Sequence, residues 1–160
     1  MRKIYSFATP FLLAPLIILN AQSKKGAENI KGADLQKHIT YLASDKLMGR
    51  ATPSPAADSA AEYIAREFKA YGLKPVNGSY FQEVPIKMRS GEFKFKNVVG
   101  FLEGNDPELK KEILIIGAHY DHVGPYKTPK FEQDSIYNGA DDNASGTAGE
   151  IGRASCRERV

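Results

Sequence analysis

The sequence has little cysteine: Cys156 is the only one among its 160 residues. A single cysteine cannot form a disulfide within the chain, so the fold cannot depend on a disulfide framework. Cys156 also lies in a C-terminal segment that we interpret below as foreign to the protein. The rest of the chain then has no thiol, which excludes catalysis by a cysteine nucleophile.

The chain also has little net charge. The formal net charge is +3, from 22 basic and 19 acidic side chains. Arg2 and Lys3, together with three arginines and two glutamates in residues 150–160, account for this surplus. Residues 22–149 are therefore formally neutral. The basic isoelectric point is accordingly no evidence for a partner such as nucleic acid or an anionic membrane.

The most apolar stretch, Phe11–Leu19, follows two basic residues and precedes the small residue Ala21. Pro15 interrupts this stretch, which is shorter than the roughly 20 residues of a membrane span. We therefore expect residues 1–21 to be a signal peptide, with a retained membrane anchor as the alternative. Residues 22–33 are expected to form a flexible leader. The mature protein is then periplasmic or secreted, with no membrane attachment after cleavage.

The chain changes character after residue 149. Residues 150–160 read EIGRASCRERV and bring in three arginines and the only cysteine. This string resembles the translation of a common sequencing adapter. We therefore interpret residues 150–160 as an adapter artefact and expect the native gene to continue differently.

Two helices are predicted in the first half of the chain. Asp34–Ser44 carries apolar residues at helical spacing, and its first residue can serve as N-cap. A second helix begins with Ser54 as N-cap and Pro55 in the first turn, and it ends at Gly72. His38 falls on the first helix among polar neighbours, so we expect its side chain to be solvated.

Strands are predicted in the second half. Tyr80–Met88 and Phe93–Leu102 alternate between apolar and polar residues and are joined by a short turn, which predicts a hairpin. Ile113–Ile116 is a short, β-branched apolar run, typical of a strand buried on both faces. Together these patterns predict an α/β fold with a mixed, mostly parallel sheet and helices on both faces, incomplete in this chain.

Polar residues with metal-binding chemistry follow the predicted buried strand. His119 and Asp121 lie at its carboxyl end, where ligands bind in open α/β sheets. Asn138–Gly146 packs two carboxylates, two amides and two glycines into a short turn. Imidazole nitrogen and carboxylate oxygen are both zinc donors, and His119 with Asp141 supplies one of each. A strand-end histidine next to an unrelated polar turn is the alternative.

The strings GAHYDHVG at residues 117–124 and NGADDNASG at residues 138–146 resemble the di-zinc aminopeptidases of metallopeptidase family twenty-eight. DKLMGR at residues 45–50 also resembles that family, so the likeness extends over residues 34–149. It identifies residues 34–149 as the N-terminal part of a zinc peptidase domain.

The resemblance assigns roles to three residues. It implies that His119 binds one zinc ion, that Asp141 bridges two zinc ions, and that Asp121 orients the imidazole of His119. It also implies a cis peptide bond between Asp141 and Asp142. His122 has no counterpart among the family's ligands, and we expect it either beside a ligand, supporting it, or at the rim of the site.

The activity that the resemblance implies is hydrolysis of N-terminal residues from peptides by a metal-activated water. The family's general base and remaining zinc ligands have no matching positions here, so we expect an inactive fragment that binds zinc weakly. One alternative is a related di-metal deacylase or dipeptidase, although these carry a different Gly-Asp motif. The other is a non-catalytic, peptidase-like binding module. In the family a Glu-Glu pair further along the chain supplies the general base and a zinc ligand, and loss of that pair would indicate the binding module.

Overall fold

The computed structural model describes residues 30–125 and 134–155. The helices are α1 (Gly32–Leu42), α2 (Pro55–Ala70) and α3 (Ser145–Ser155), and the strands are β1 (Lys74–Pro75), β2 (Phe81–Met88), β3 (Gly91–Val98) and β4 (Gly100–Phe101). Two 3-10 helices (Asp45–Arg50 and Leu109–Lys111) and a π-helical turn (Ala140–Ala144) lie between them. The expected signal peptide and Cys156 fall outside the described residues.

The two predicted helices are confirmed, with small shifts at their ends. In α2 the hydroxyl of Ser54 accepts a hydrogen bond from the backbone N–H of Ala57 at 3.1 Å, and Pro55 occupies the first helical position. This is the predicted N-cap. In α1 the N-cap is Lys31, which makes no side-chain capping bond, so Asp34 lies in the first turn instead. None of the described helices is long and apolar enough to cross a membrane.

The core lies between the three helices. Its buried members come from all three helices and from the segments next to them: Leu42, Leu47, Ala60, Tyr63, Ile64, Phe68, Ala144, Ile151 and Ala154. Helix α3 therefore continues through Glu150 and buries four residues beyond it. The change in composition at residue 150 is not a break in the described structure, and the adapter interpretation of residues 150–160 stays a prediction.

His38 is part of this helical core, and the expectation that it is solvated was wrong. Its side chain is 0 % exposed, and Nδ1 lies 2.6 Å from the hydroxyl of Tyr63 in α2. The ring of Tyr41 stacks on Tyr63 at a centroid distance of 4.2 Å. The sequence showed the polar neighbours of His38 along α1, whereas its burial comes from α2, which packs across it.

The predicted hairpin is confirmed. Strands β2 and β3 pair antiparallel, from Phe81 opposite Val98 to Met88 opposite Gly91. Strands β1 and β4 form a second antiparallel pair, with Lys74 opposite Phe101. Helices and strands thus occur together, as an α/β fold requires, but the sheets formed by the described residues are two-stranded and antiparallel.

The predicted buried strand at Ile113–Ile116 is not observed. These residues carry no strand, and the side chains of Ile113, Leu114 and Ile115 are 81 %, 82 % and 85 % exposed. A strand exists only when neighbouring strands satisfy its backbone groups. None of the described strands pairs with this run.

Candidate metal centre

The backbone around His119 is held from two sides. The hydroxyl of Thr147, in α3, donates a hydrogen bond to the carbonyl of His119 at 3.1 Å. The hydroxyl of Tyr120 donates to the carbonyl of Lys96, in β3, at 2.6 Å. Burial raises the pKa of Tyr120 to about 12, so this hydroxyl stays protonated and remains a donor. The segment that carries His119 is thereby tied both to the hairpin and to the helical core.

The imidazole of His119 has a defined orientation. Its Nδ1 lies 3.1 Å from the backbone carbonyl of Asp121. A carbonyl only accepts, so this contact is a hydrogen bond in the tautomer with the proton on Nδ1, and in that tautomer Nε2 is the nitrogen that can bind a metal. The carboxylate of Asp121 lies 3.6 Å from Nδ1, beyond hydrogen-bond distance. The contact within hydrogen-bond distance is therefore to the backbone of Asp121, and the side-chain role that the resemblance implies stays a prediction.

Asp142 is the carboxylate that faces His119. Its Oδ1 lies 3.1 Å from Nε2 of His119, and its Oδ2 lies 3.5 Å from Nδ1 of His122. The two oxygens of one carboxylate thus face two different imidazoles. Of the two places expected for His122, the structure favours the one beside a candidate ligand, because only 16 % of its side chain is exposed and it contacts this carboxylate.

Asp141, the predicted ligand, is not brought into this cluster. Its side chain is exposed, and its carboxylate makes no ion pair or hydrogen bond recorded within the described part of the chain. Its backbone carbonyl accepts a hydrogen bond from the hydroxyl of Ser145 at 3.1 Å. The non-proline cis bond lies between Asp142 and Asn143, one position after the predicted one. The two adjacent aspartates have the same side chain, so the sequence alone cannot tell which carboxylate faces His119. The conformation of the turn decides it.

Sequence reasoning gave no role to Arg50, which lies directly behind the cluster. Its side chain is 0 % exposed. Burial lowers the pKa of the guanidinium, while the carboxylates of Asp121 and Asp142 act in the opposite direction. The signal available in the sequence was the position of Arg50 at the end of DKLMGR. That string contains no combination of residues typical of a catalytic or metal site, so it did not point to a role.

The donors present suit zinc in kind but are few in number. His119 and Asp142 offer an imidazole nitrogen and carboxylate oxygens, both of which bind zinc in proteins. Zinc sites have three or four protein ligands. Within residues 30–125 and 134–155, no group of three or more His, Cys, Asp or Glu side chains is arranged to hold a metal ion. Among the described residues, His119 and Asp142 alone are therefore too few for a complete zinc site.

A cleft of about 530 Å³ opens beside His119 and Asp121. Its walls are largely apolar and include Phe68 of α2 and Phe95 of β3. Glu150 also lines it, and burial raises the pKa of that carboxyl group. The cleft therefore places largely apolar walls next to His119.

Residues 97–154 match the model of Peptidase family M28. The match includes both segments of the cluster, those of His119 and Asp142, and it supports a metallopeptidase. Over 115 residues the chain is also 35 % identical to the uncharacterized protein YfbL of Escherichia coli (strain K12). That alignment covers 72 % of this chain and 31 % of YfbL, so the chain spans about a third of this relative. No solved structure matches the chain significantly.

Proposed function

We propose that these residues belong to a zinc-dependent exopeptidase, an aminopeptidase that hydrolyses N-terminal residues from peptides. The observation that carries the proposal is the 3.1 Å approach of Asp142 Oδ1 to His119 Nε2, inside the region that matches the peptidase family. The alignment with YfbL covers only 31 % of that protein. We therefore assign the activity to a longer protein of which this chain forms the N-terminal part.

We propose His119 and Asp142 as zinc ligands. The sequence favours Asp141 as the carboxylate that bridges two zinc ions, but the geometry favours Asp142, because its two oxygens point to different imidazoles. The backbone carbonyl of Asp121 favours the tautomer with the proton on Nδ1 of His119, in which Nε2 is the donor. Zinc, when bound, supplies Lewis acidity that polarises a peptide carbonyl and makes water a stronger acid. The cleft beside His119 would hold the substrate.

We further propose the setting in which this site is complete. With additional strands, Ile113–Ile116 joins a mostly parallel sheet with helices on both faces, and its apolar side chains become buried. The composition of the run supports this, since four consecutive apolar residues gain little from a solvated position. The N-terminal pattern of residues 1–21 supports export to the periplasm or the exterior.

The test is hydrolysis of aminoacyl p-nitroanilides by the longer gene product. We expect activity to disappear on dialysis against a chelator and to return with zinc. His119→Ala should abolish it, whereas Glu92→Gln, an exposed change in the hairpin, should leave it unchanged. Zinc binding without hydrolysis of any peptide substrate would contradict the exopeptidase and favour a binding module.

The same assay on residues 22–160 tests how complete the site is. We expect no turnover even with added zinc, because the described residues supply too few ligands. Turnover that His119→Ala abolishes would show that this chain carries a working centre by itself.

A further inference from the structure

We propose that Arg50 is a positioning residue for the candidate metal centre. Its buried guanidinium sets the distance between the segment that carries His119 and the turn that carries Asp142. This inference rests on the proposed function, because it concerns the same site. Nothing in the sequence patterns or in the family match assigns Arg50 this role.

The first observation is the set of backbone carbonyls that the guanidinium binds. Nε donates to Tyr120 at 2.7 Å, next to His119 in the chain. On the other side, Nη1 donates to Asn138 at 2.7 Å and Nη2 donates to Gly139 at 2.9 Å. Nη1 also donates to the carbonyl of Leu42 at the end of α1. One side chain therefore links both halves of the site to the helical core.

The backbone of Arg50 reinforces this link. Its carbonyl accepts a hydrogen bond from the N–H of His122 at 3.3 Å. Met48, Gly49 and Arg50 have φ values of 46°, 74° and 58°, in the left-handed region that non-glycine residues rarely adopt. A Cβ on Gly49 would collide with the carbonyls of Val123 and Tyr137. The turn therefore follows a strained path that places it against the site segments.

The second observation is that charge alone does not explain a buried arginine at this place. Among the described residues Arg50 has no carboxylate within ion-pair distance, and Asp121 and Asp142 act on it only through longer-range attraction. A positive charge beside a cation site repels the metal. If charge were the main effect of Arg50, its removal would strengthen metal binding. Positioning predicts the opposite sign.

The chemistry of the guanidinium also separates arginine from lysine. The planar fork donates along several fixed directions at once, whereas an ammonium is a compact charge on a flexible stem. Lysine at this position keeps the charge but cannot reach Tyr120, Asn138 and Gly139 together. Arg50→Lys therefore removes the planar fork but keeps the positive charge. Arg50→Met removes both.

The experiment is a Co²⁺ titration of the longer gene product, followed by its visible absorption spectrum. We expect Arg50→Lys and Arg50→Met each to weaken Co²⁺ binding by about 10-fold or more, the scale of lost supporting contacts at metal sites. Both should also change the spectrum. Arg89→Lys and Arg89→Met, on the exposed turn of the hairpin, are the matched controls and should match the parent.

Far-UV circular dichroism checks that each variant is folded. Affinities are compared only at temperatures at which each variant is folded. A role limited to stability lowers the unfolding temperature and leaves the affinity of the folded protein unchanged, which would overturn the proposal. Tighter binding by Arg50→Met would overturn it too. If both Arg50 variants are unfolded, Arg50→Gln replaces them, because its uncharged amide keeps N–H donors but is too short to bind Tyr120, Asn138 and Gly139 together. Affinity equal to the parent in that variant refutes the inference, and 10-fold weaker binding supports it.

A parent chain that binds neither Co²⁺ nor Zn²⁺ gives a different result. It refutes the proposed metal site itself, and the inference about Arg50 falls with it. Parent binding combined with unchanged Arg50 variants refutes the inference alone. The two failures are therefore distinguishable.

Discussion

Nε2 of His119 lies 3.1 Å from Oδ1 of Asp142, whereas the carboxylate of the adjacent Asp141 pairs with no imidazole among the described residues. Proximity of this kind is what two ligands of one metal ion require. The pair also lies within the region that matches the peptidase family. The two aspartates therefore offer a matched comparison, since the same substitution can be made at adjacent positions with different expected results.

We predict that Asp142→Asn weakens Zn²⁺ binding much more than Asp141→Asn does. Loss of a supporting partner costs roughly 10–100-fold in metal affinity, and loss of a direct ligand should cost at least as much. Asp141→Asn should bind within about 3-fold of the parent, a difference of roughly 0.6 kcal/mol. Competition with a chromophoric chelator measures both affinities. A larger loss for Asp141→Asn would restore the ligand that the resemblance implied.

We predict that His38 makes stability fall as the pH falls below about 6.5. Burial lowers the pKa of His38 from 6.5, with smaller opposing effects of Glu67 and Asp34 and a further lowering by Lys37. Its Nε2 is buried without a hydrogen-bond partner among the described atoms. Above that pH the imidazole is neutral in both states. Below it the unfolded chain takes up a proton that the folded chain resists, so unfolding becomes easier.

Urea unfolding at about pH 7.5 and about pH 5.5 measures this effect. The slope due to one proton is at most about 1.4 kcal/mol per pH unit. His38→Gln should show a smaller loss between the two pH values, because it lacks the buried imidazole whose lowered pKa causes the effect. Equal losses in the parent and in His38→Gln would mean that His38 is protonated inside the fold.

We predict that Ser54→Ala lowers the free energy of unfolding by about 1 kcal/mol, the usual cost of losing an N-cap. The hydroxyl of Ser54 accepts from the N–H of Ala57, and α2 contributes several core residues. Ser59→Ala makes the same chemical change inside the helix, where the hydroxyl donates only to the carbonyl of Pro55. It should be close to neutral. Chemical denaturation of both variants makes the comparison, and equal losses would contradict the capping role.

The parts of the fold that the sequence predicted are those encoded by neighbouring residues. Helix α2 is defined by its serine cap, its first-turn proline and its apolar spacing, and the β2–β3 hairpin by alternation around a short turn. Each of these signals acts within a few residues, so no distant partner is needed to interpret it.

The parts that the sequence did not predict depend on partners far away in the chain. His38 is buried by Tyr63 of another helix, and Arg50 binds carbonyls that follow it by 70 to 89 positions. The choice between Asp141 and Asp142 depends on the conformation of one turn. Local periodicity contains none of this information, because it reports which residue types occur and not what packs against them.

We predict that Ile115→Lys in the 160-residue chain lowers self-association without lowering stability. Ile115 is 85 % exposed beside Ile113 and Leu114, which are almost as exposed. Exposed apolar patches and unpaired strand-forming segments promote association between chains. A lysine at the centre of the run adds a charge that opposes edge-to-edge pairing and removes apolar surface from water.

Analytical ultracentrifugation of the parent and Ile115→Lys measures the association, and thermal unfolding measures the stability. Ile64→Lys is the control for a buried isoleucine, since Ile64 is 3 % exposed and its replacement by a charge should prevent folding. If Ile115→Lys destabilises the chain as strongly as Ile64→Lys does, the run is already buried in a sheet. In the longer protein, where we propose that further strands cover Ile113–Ile116, the same substitution should be strongly destabilising for that reason.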